Sequence, residues 1–401
     1  MKTLLATIAL VHATVHTGTG PALEDATVVI EGDHVEAVGA NVTPPANATV
    51  IDGRGRQVTP GLFAVASRVG EVDAEAESSS VEGTLPESAD PVRAALRVAD
   101  TYNPASFTIP IARGGGITEA LVTPSGGLVS GQAALVELGA QGGIRKPSAA
   151  LVVSIPAPPS GEDSPSPAGG RSAAFLRLRQ AFADTKLYRA SHGSYLGNRL
   201  RPLSLSAADL EVLERALSRE LLLLVEVDRA AEIRGVVSLA RELELRIALV
   251  GAAEAWELAP ELARAKIPVV IDPLRALPES FSSLHNRPDA ARILQEAGVP
   301  LVIAELSSPH FAHRLRWAAG NAVAEGLSHD AAVAAVTRAP AELFGEPNTG
   351  VIRPGAVANL VLWNGDPLEV TSWAQRMWIR GAEVSLETRQ DLLTRRYRHV
   401  P

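Results

Sequence analysis

Val58-Thr59-Pro60-Gly61-Leu62-Phe63-Ala64-Val65-Ala66-Ser67-Arg68-Val69-Gly70 marks the passage from the terminal strands into the interior of the chain. It opens on a Pro-Gly turn and runs through five apolar residues, 62–66, before Gly70 closes it. A short apolar run between turn signals suits a strand buried on both faces, as in parallel sheets covered by helices. Upstream, Ala26-Thr27-Val28-Val29-Ile30 and Val35-Glu36-Ala37-Val38 flank the turn Glu31-Gly32-Asp33-His34, a hairpin signal. Downstream, Asn359-Leu360-Val361-Leu362-Trp363 and Arg376-Met377-Trp378-Ile379-Arg380 are again strand-like around Asn364-Gly365-Asp366-Pro367. Strands at both ends of the chain need a common layer. Residues 1–58 and 346–401 are expected to form a composite β-sandwich, with 59–345 as a separate domain.

The interior alternates strand and helix patterns. Strands are predicted at 117–122, 151–155, 221–227, 246–250, 268–271 and 300–304, and helices at 173–187, 230–243, 255–266, 289–297, 313–325 and 329–338. Alternation of this kind builds a parallel sheet, and the number of units favours an α/β fold of the (β/α)8 barrel type over an open sheet. The run 156–170, rich in Pro, Ser and Gly, reads as a surface loop.

Composition excludes several function classes. With 46% hydrophobic and 20% charged residues, 401 positions are ample for a barrel-sized core. A net charge of −8 argues against nucleic acid or an anionic membrane as partner. The absence of cysteine removes disulfides, thiol catalysis and Cys-based zinc sites. No run reaches the ~20 apolar residues of a membrane helix. The first thirteen residues admit two readings. A strand over 9–15 places the protein in the cytoplasm, and a signal or its remnant over Met1 to Ala13 makes it exported or periplasmic.

The V-T-P-G-L opening at 58–62 resembles the first barrel strand of the amidohydrolase superfamily, metal-dependent hydrolases of the imidazolonepropionase and dihydroorotase kind. Gly350-Val351-Ile352-Arg353-Pro354-Gly355 followed by Ala358-Asn359-Leu360-Val361 resembles the family's C-terminal segment, with Asn359 where Asp is usual. The resemblance implies hydrolysis of non-peptide carbon–nitrogen bonds, in a small cyclic amide or dipeptide-like substrate, at a zinc or other divalent ion. By the same analogy it implies a homodimer.

The implied ligand positions are occupied unusually. The H-x-H of the first strand falls on Ala66 and Arg68, the fifth-strand His on Glu226, the sixth-strand His on Gly251, and the eighth-strand Asp on Ser307, or on Glu305 if the register slips by two. A mononuclear zinc site needs about three converging nitrogen or carboxylate ligands. Arginine cannot be one, and its charge repels a divalent cation. No metal or other cofactor is therefore expected.

Two readings remain. In one, Glu226, Asp228, Glu305 or Ser307 acts without a metal, Arg68 holds an anionic group, and the backbone of Gly126 and Gly127 contacts the substrate. In the other, the protein is catalytically silent, binding a small molecule or serving as a structural subunit, and Arg68 forms an ion pair with Glu226 across the barrel. Glu71 and Asp73 are further candidates for the mouth. The Gly126–Gly131 spacing looks like a phosphate loop, yet Gln132 and Ala133 replace the residues that would meet phosphate and Mg²⁺. His12, His16 and His34 fall in the terminal strands, His192 in a polar loop, His329 at a helix start and His399 in the tail. His310 and His313 are the one pair near the mouth and read most simply as a surface pair at a helix start. The five tryptophans read as packing.

Overall fold

The computed structural model describes residues 7–84, 90–140, 142–155, 170–197, 201–278 and 280–398. Five strands open the chain: β1 Ile8–Val15, β2 Leu23–Glu31, β3 His34–Gly39, β4 Thr49–Asp52 and β5 Gln57–Pro60. The β2–β3 hairpin is present as the turn signal predicts. Eight strands follow: β6 Leu62–Ser67, β7 Ile117–Val122, β8 Val129–Glu137, β9 Ile144–Ser154, β10 Leu222–Val227, β11 Ile247–Gly251, β12 Val269–Ile271 and β13 Leu301–Ile303. Three more close the chain, β14 Leu360–Trp363, β15 Ala374–Ile379 and β16 Ala382–Glu383.

The termini share one eight-stranded sheet in the order β16-β15-β14-β5-β1-β2-β3, with β4 alongside the first half of β1. Leu10, Val28, Val35, Ile51, Val58, Leu360 and Trp378, from seven of these strands, lie in one buried cluster, so the sheet wraps around a shared core. A bulge in β1 assists the bend: His12 takes a left-handed φ of +59° and the register shifts between Leu10 and Ala13. β1 is central to this sheet, as the strand reading of 9–15 requires. Residues 1–6, on which the export reading leans, lie outside the described residues.

The other eight strands run in the order β13-β12-β11-β10-β9-β8-β7-β6 and form a nearly closed barrel. Its interior is filled from the strands themselves by Phe63, Val65, Leu121, Leu135, Val152, Leu224, Val250 and Val302, and Phe344 closes one end by stacking on Phe63 at 5.8 Å. The alternate positions face the helices. Leu223, Val225 and Leu249 share the outer cluster with Ile233, Val236 and Leu239 of the helix Ala230–Leu243, whose apolar residues recur at helical spacing. One strand departs from simple alternation: β8 runs antiparallel between β7 and β9, so a meander stands where a βα unit was expected. Among the described residues no helix is long and apolar enough to cross a membrane.

Candidate functional site

Side chains at the C-terminal ends of parallel barrel strands converge on one mouth, so strand ends are the positions that matter. β6 delivers Ala66 and then Arg68. Ala66 sits at a left-handed φ of +53° and the β6–β7 register shifts there, which turns the following residues out of the ladder. The Arg68 guanidinium donates to the Glu82 carbonyl at 2.9 Å and to Thr84 Oγ1 at 2.6 Å. Burial lowers its pKa, opposed by the charges of Glu71 and Glu75. The ion pair expected with Glu226 is replaced by these contacts. Both bonds come from one terminal nitrogen, Nη2, while Nε is buried with no hydrogen-bond partner among the described residues.

Glu226 points inward from β10, in register with Ser154 of β9 and Val250 of β11. Burial pushes its carboxyl pKa up, the Ser154 hydroxyl bonded to it opposes the shift, and the nearby Asp228 charge adds to it. Asp228 lies one turn further out, against the end of β11. A Cβ built on Gly251 would sit 2.8 Å from Asp228 Oδ1, and Gly251 has a φ of +80°. Position 251 is thus filled by its neighbour's carboxylate. Gly251→Ala is expected to cost about 1–3 kcal/mol from the left-handed backbone and the close approach. An unchanged denaturant midpoint would show that Asp228 gives way freely.

The end of β13 is similarly self-contained. Ser307 donates to Glu305 Oε1 through its hydroxyl and, at 3.2 Å, through its backbone N–H. Burial raises the Glu305 pKa, the Ser307 hydrogen bond opposes, and Asp272 raises it further. Asp272 ties two strand ends together, accepting from Leu274 N at 2.9 Å and Leu306 N at 3.0 Å. Neither Ser154 nor Asp272 was picked out from sequence. Both stand at the ends of barrel strands, and that position was the signal available.

Arg68, Glu75, Glu305 and Ser307 line one cavity of about 150 Å³, and Asp228, Gly251 and Asp272 line another of about 50 Å³. Small-molecule sites run to roughly 300–1,000 Å³. Gly126 and Gly127, at φ of +88° and +71°, form the turn before β8, where Ser125 Oγ lies 3.2 Å from Thr84 Oγ1. Thr84 therefore links Arg68 to this turn. Glu71 and Asp73, expected in the mouth, instead meet Thr101 at 2.9 Å and Ser106 at 2.5 Å. Burial raises Glu71 to about 7. His313 bonds the His310 carbonyl at 3.1 Å and packs against Trp317, and a Cβ on Gly115 would fall 2.4 Å from its Cα, so the pair is packed into the helix start. Of the tryptophans, Trp363 and Trp378 are fully buried, whereas Trp373 is exposed. The 156–169 segment and His399 lie outside the described residues.

The residues at the implied ligand positions do not fit a divalent ion. Ala66 and Gly251 carry no donor atom, Arg68 offers a positive charge and no lone pair, and the Glu226 carboxyl already holds the Ser154 hydroxyl. Among the described residues two groups of three bring ligand atoms within 4.8 Å of one another, and neither includes any of these positions.

A near-closed eight-stranded barrel beside a sheet drawn from both termini is the architecture of the amidohydrolase-type hydrolases. The amidohydrolase family model matches residues 217–384. Among solved structures it is similar to an amidohydrolase from Thermotoga maritima MSB8, at 24% identity and a TM-score of 0.82 over 94% of this chain and 99% of that one. A prolidase complexed with N-methylphosphonate-L-proline matches at 16% identity and a TM-score of 0.56, covering 94% of this chain and 99% of that one. A triazine hydrolase from Arthobacter aurescens matches at 14% and 0.55, covering 99% and 100%. At these identities the likeness speaks for the fold. No curated protein matches the sequence.

Proposed function

We propose that this protein is an amidohydrolase-superfamily member that has lost the metal-dependent hydrolysis of carbon–nitrogen bonds, and that it works as a binding or structural subunit. One observation carries the reading: each group at a ligand position is either without a donor or engaged by a neighbour. Arg68 is engaged by Glu82 and Thr84, Glu226 by Ser154, and Glu305 by Ser307, while Asp228 fills the space at Gly251. Burial favours the neutral form of Glu226 and Glu305, and each carboxyl is already occupied by a serine hydroxyl, which disfavours their use in activating water. Cavities of about 150 and 50 Å³ support the same reading, since neither takes a dipeptide-sized substrate. The central place of β1 supports the cytoplasmic reading, because cleavage after Ala13 would remove the middle of the terminal sheet.

The test is a hydrolase assay on N-acyl amino acids, dipeptides and small cyclic amides, with and without added Zn²⁺, Mn²⁺ and Co²⁺. Turnover is expected to stay at the level of a heat-denatured control. Metal-stimulated turnover abolished by Glu226→Gln would restore the family reaction. Metal-independent turnover abolished by Glu305→Gln would favour a metal-free hydrolase using Arg68 and Glu305, which share a cavity.

A further inference from the structure

A second group of residues, none of them in the mouth, has the arrangement that the mouth lacks. His16 follows β1 and is fixed by its backbone N–H on the Val58 carbonyl at 2.9 Å. It is only 6% exposed, its Nε2 meets Gln57 Oε1 at 2.6 Å, and its Nδ1 is buried with no hydrogen-bond partner among the described residues. His329 begins the helix His329–Val336, which Ser328 caps, and its Nε2 lies 3.0 and 3.1 Å from the two carboxylate oxygens of Asp366. The two imidazole rings are 5.0 Å apart between centroids. Asp330 is the next residue, and one ligand atom from each of His16, His329 and Asp330 lies within 4.8 Å of the others.

We propose that His16, His329 and Asp330 form a binding site for a divalent transition metal of the zinc type, at the junction between the terminal sheet and a barrel helix. Imidazole that binds a metal through one ring nitrogen commonly engages an oxygen through the other, which fixes the ring and its tautomer. Gln57 and Asp366 occupy that outer position here, one for each ring. The orphaned His16 Nδ1 is the independent sign. A buried acceptor with no donor costs about 1–3 kcal/mol, and a bound cation removes the deficit. Two imidazoles and one carboxylate suit zinc, or cobalt in its place, with water completing a tetrahedron. The ion would join the end of β1 to the helix at 329, residues more than three hundred positions apart in sequence, and so fasten the sheet to the barrel.

The experiment is elemental analysis and zinc titration on full-length protein stripped with chelator, with thermal unfolding followed in parallel. One zinc per chain and a raised unfolding temperature are expected, and cobalt should give the visible absorption of a tetrahedral site. His329→Ala and Asp330→Asn should abolish stoichiometric binding, and Asp366→Asn, acting through His329, should weaken it by 10–100-fold. Asp330 and Asp366 are the milder changes, and circular dichroism confirms that each variant is folded. Failure of the wild-type protein to bind zinc would overturn the proposal. So would zinc that survives Asp330→Asn and His329→Ala unchanged. If such zinc is lost in Glu226→Gln, the proposed loss of the mouth centre is overturned as well, whereas absence of zinc from the wild-type protein overturns this proposal alone.

Discussion

Replacing Arg145 by Met is expected to destabilise the protein by about 3–5 kcal/mol at pH 8, because it strands buried carboxylates without their cation. Arg145 lies in β9, with Nη1 2.9 Å from Glu119 of β7 and 3.9 Å from Glu137 of β8, and Nη2 3.1 Å from Glu346. Glu119 is 2% exposed, and burial raises it to about 7 despite the opposing Arg145 charge. Its folded pKa thus lies above the ordinary carboxylate value. The proton it keeps favours the folded state at low pH, and stability is lost as pH rises from about 4.5 through 7. Removing Arg145 raises the Glu119 pKa further and steepens that loss. The variant should therefore be weakest at pH 8 and recover much of its deficit at pH 5. Urea titrations at the two pH values check this, and an equal deficit at both would show that Glu119 is not the group responsible. The same cluster continues through Arg380, whose Nε lies 2.7 Å from Glu137, so it ties the barrel to the end of β15.

Arg316→Ala should be as damaging, by about 3–5 kcal/mol, for a different reason. Arg316 is buried in the helix Leu315–Ala324 and donates to three carbonyls of one turn, Pro367 at 3.2 Å, Glu369 at 2.5 Å and Ser372 at 2.6 Å. Each hydrogen bond from a charged donor contributes about 1.5–3 kcal/mol, less when the three are lost together. Burial has lowered its pKa to about 10. Arg316→Lys should recover only part of the loss, since a single ammonium cannot reproduce the fork. A denaturation midpoint close to wild type in the alanine variant would show that the turn holds itself. Because the turn carries Asp366, the alanine variant should also bind zinc more weakly.

Where side-chain period and turn residues agree, the elements could be read directly. β7 and the helix Ala230–Leu243 fall where the pattern put them, and β10 through β13 lie within a residue or two of it. The reading failed at β8. Its Val129-Ser130-Gly131-Gln132 start lies just after two glycines and looks like the rim loop of a βα unit, but it opens the middle strand of a meander. Gly131, at a φ of +126°, sits against the Leu96 carbonyl, 2.6 Å from where its Cβ would be. A close approach by a distant segment required that glycine, and no local pattern records one.

The mouth was legible by position and not by partner. Strand ends named Arg68, Glu226 and Glu305, yet which group each would meet depended on side-chain reach and on a loop fourteen residues downstream of Arg68. Residue type and hydrophobic period were enough to read the barrel, the association of the two termini in one β-rich unit, and the lack of donor atoms at Ala66 and Gly251; that the terminal strands share a single sheet rather than two layers came from the tertiary structure. That Arg68 turns to Glu82 and Thr84, and that His16 and His329 meet, emerged with the packing. Side chains separated by hundreds of residues are brought together by the packing of a sheet on a helix, which no local periodicity encodes.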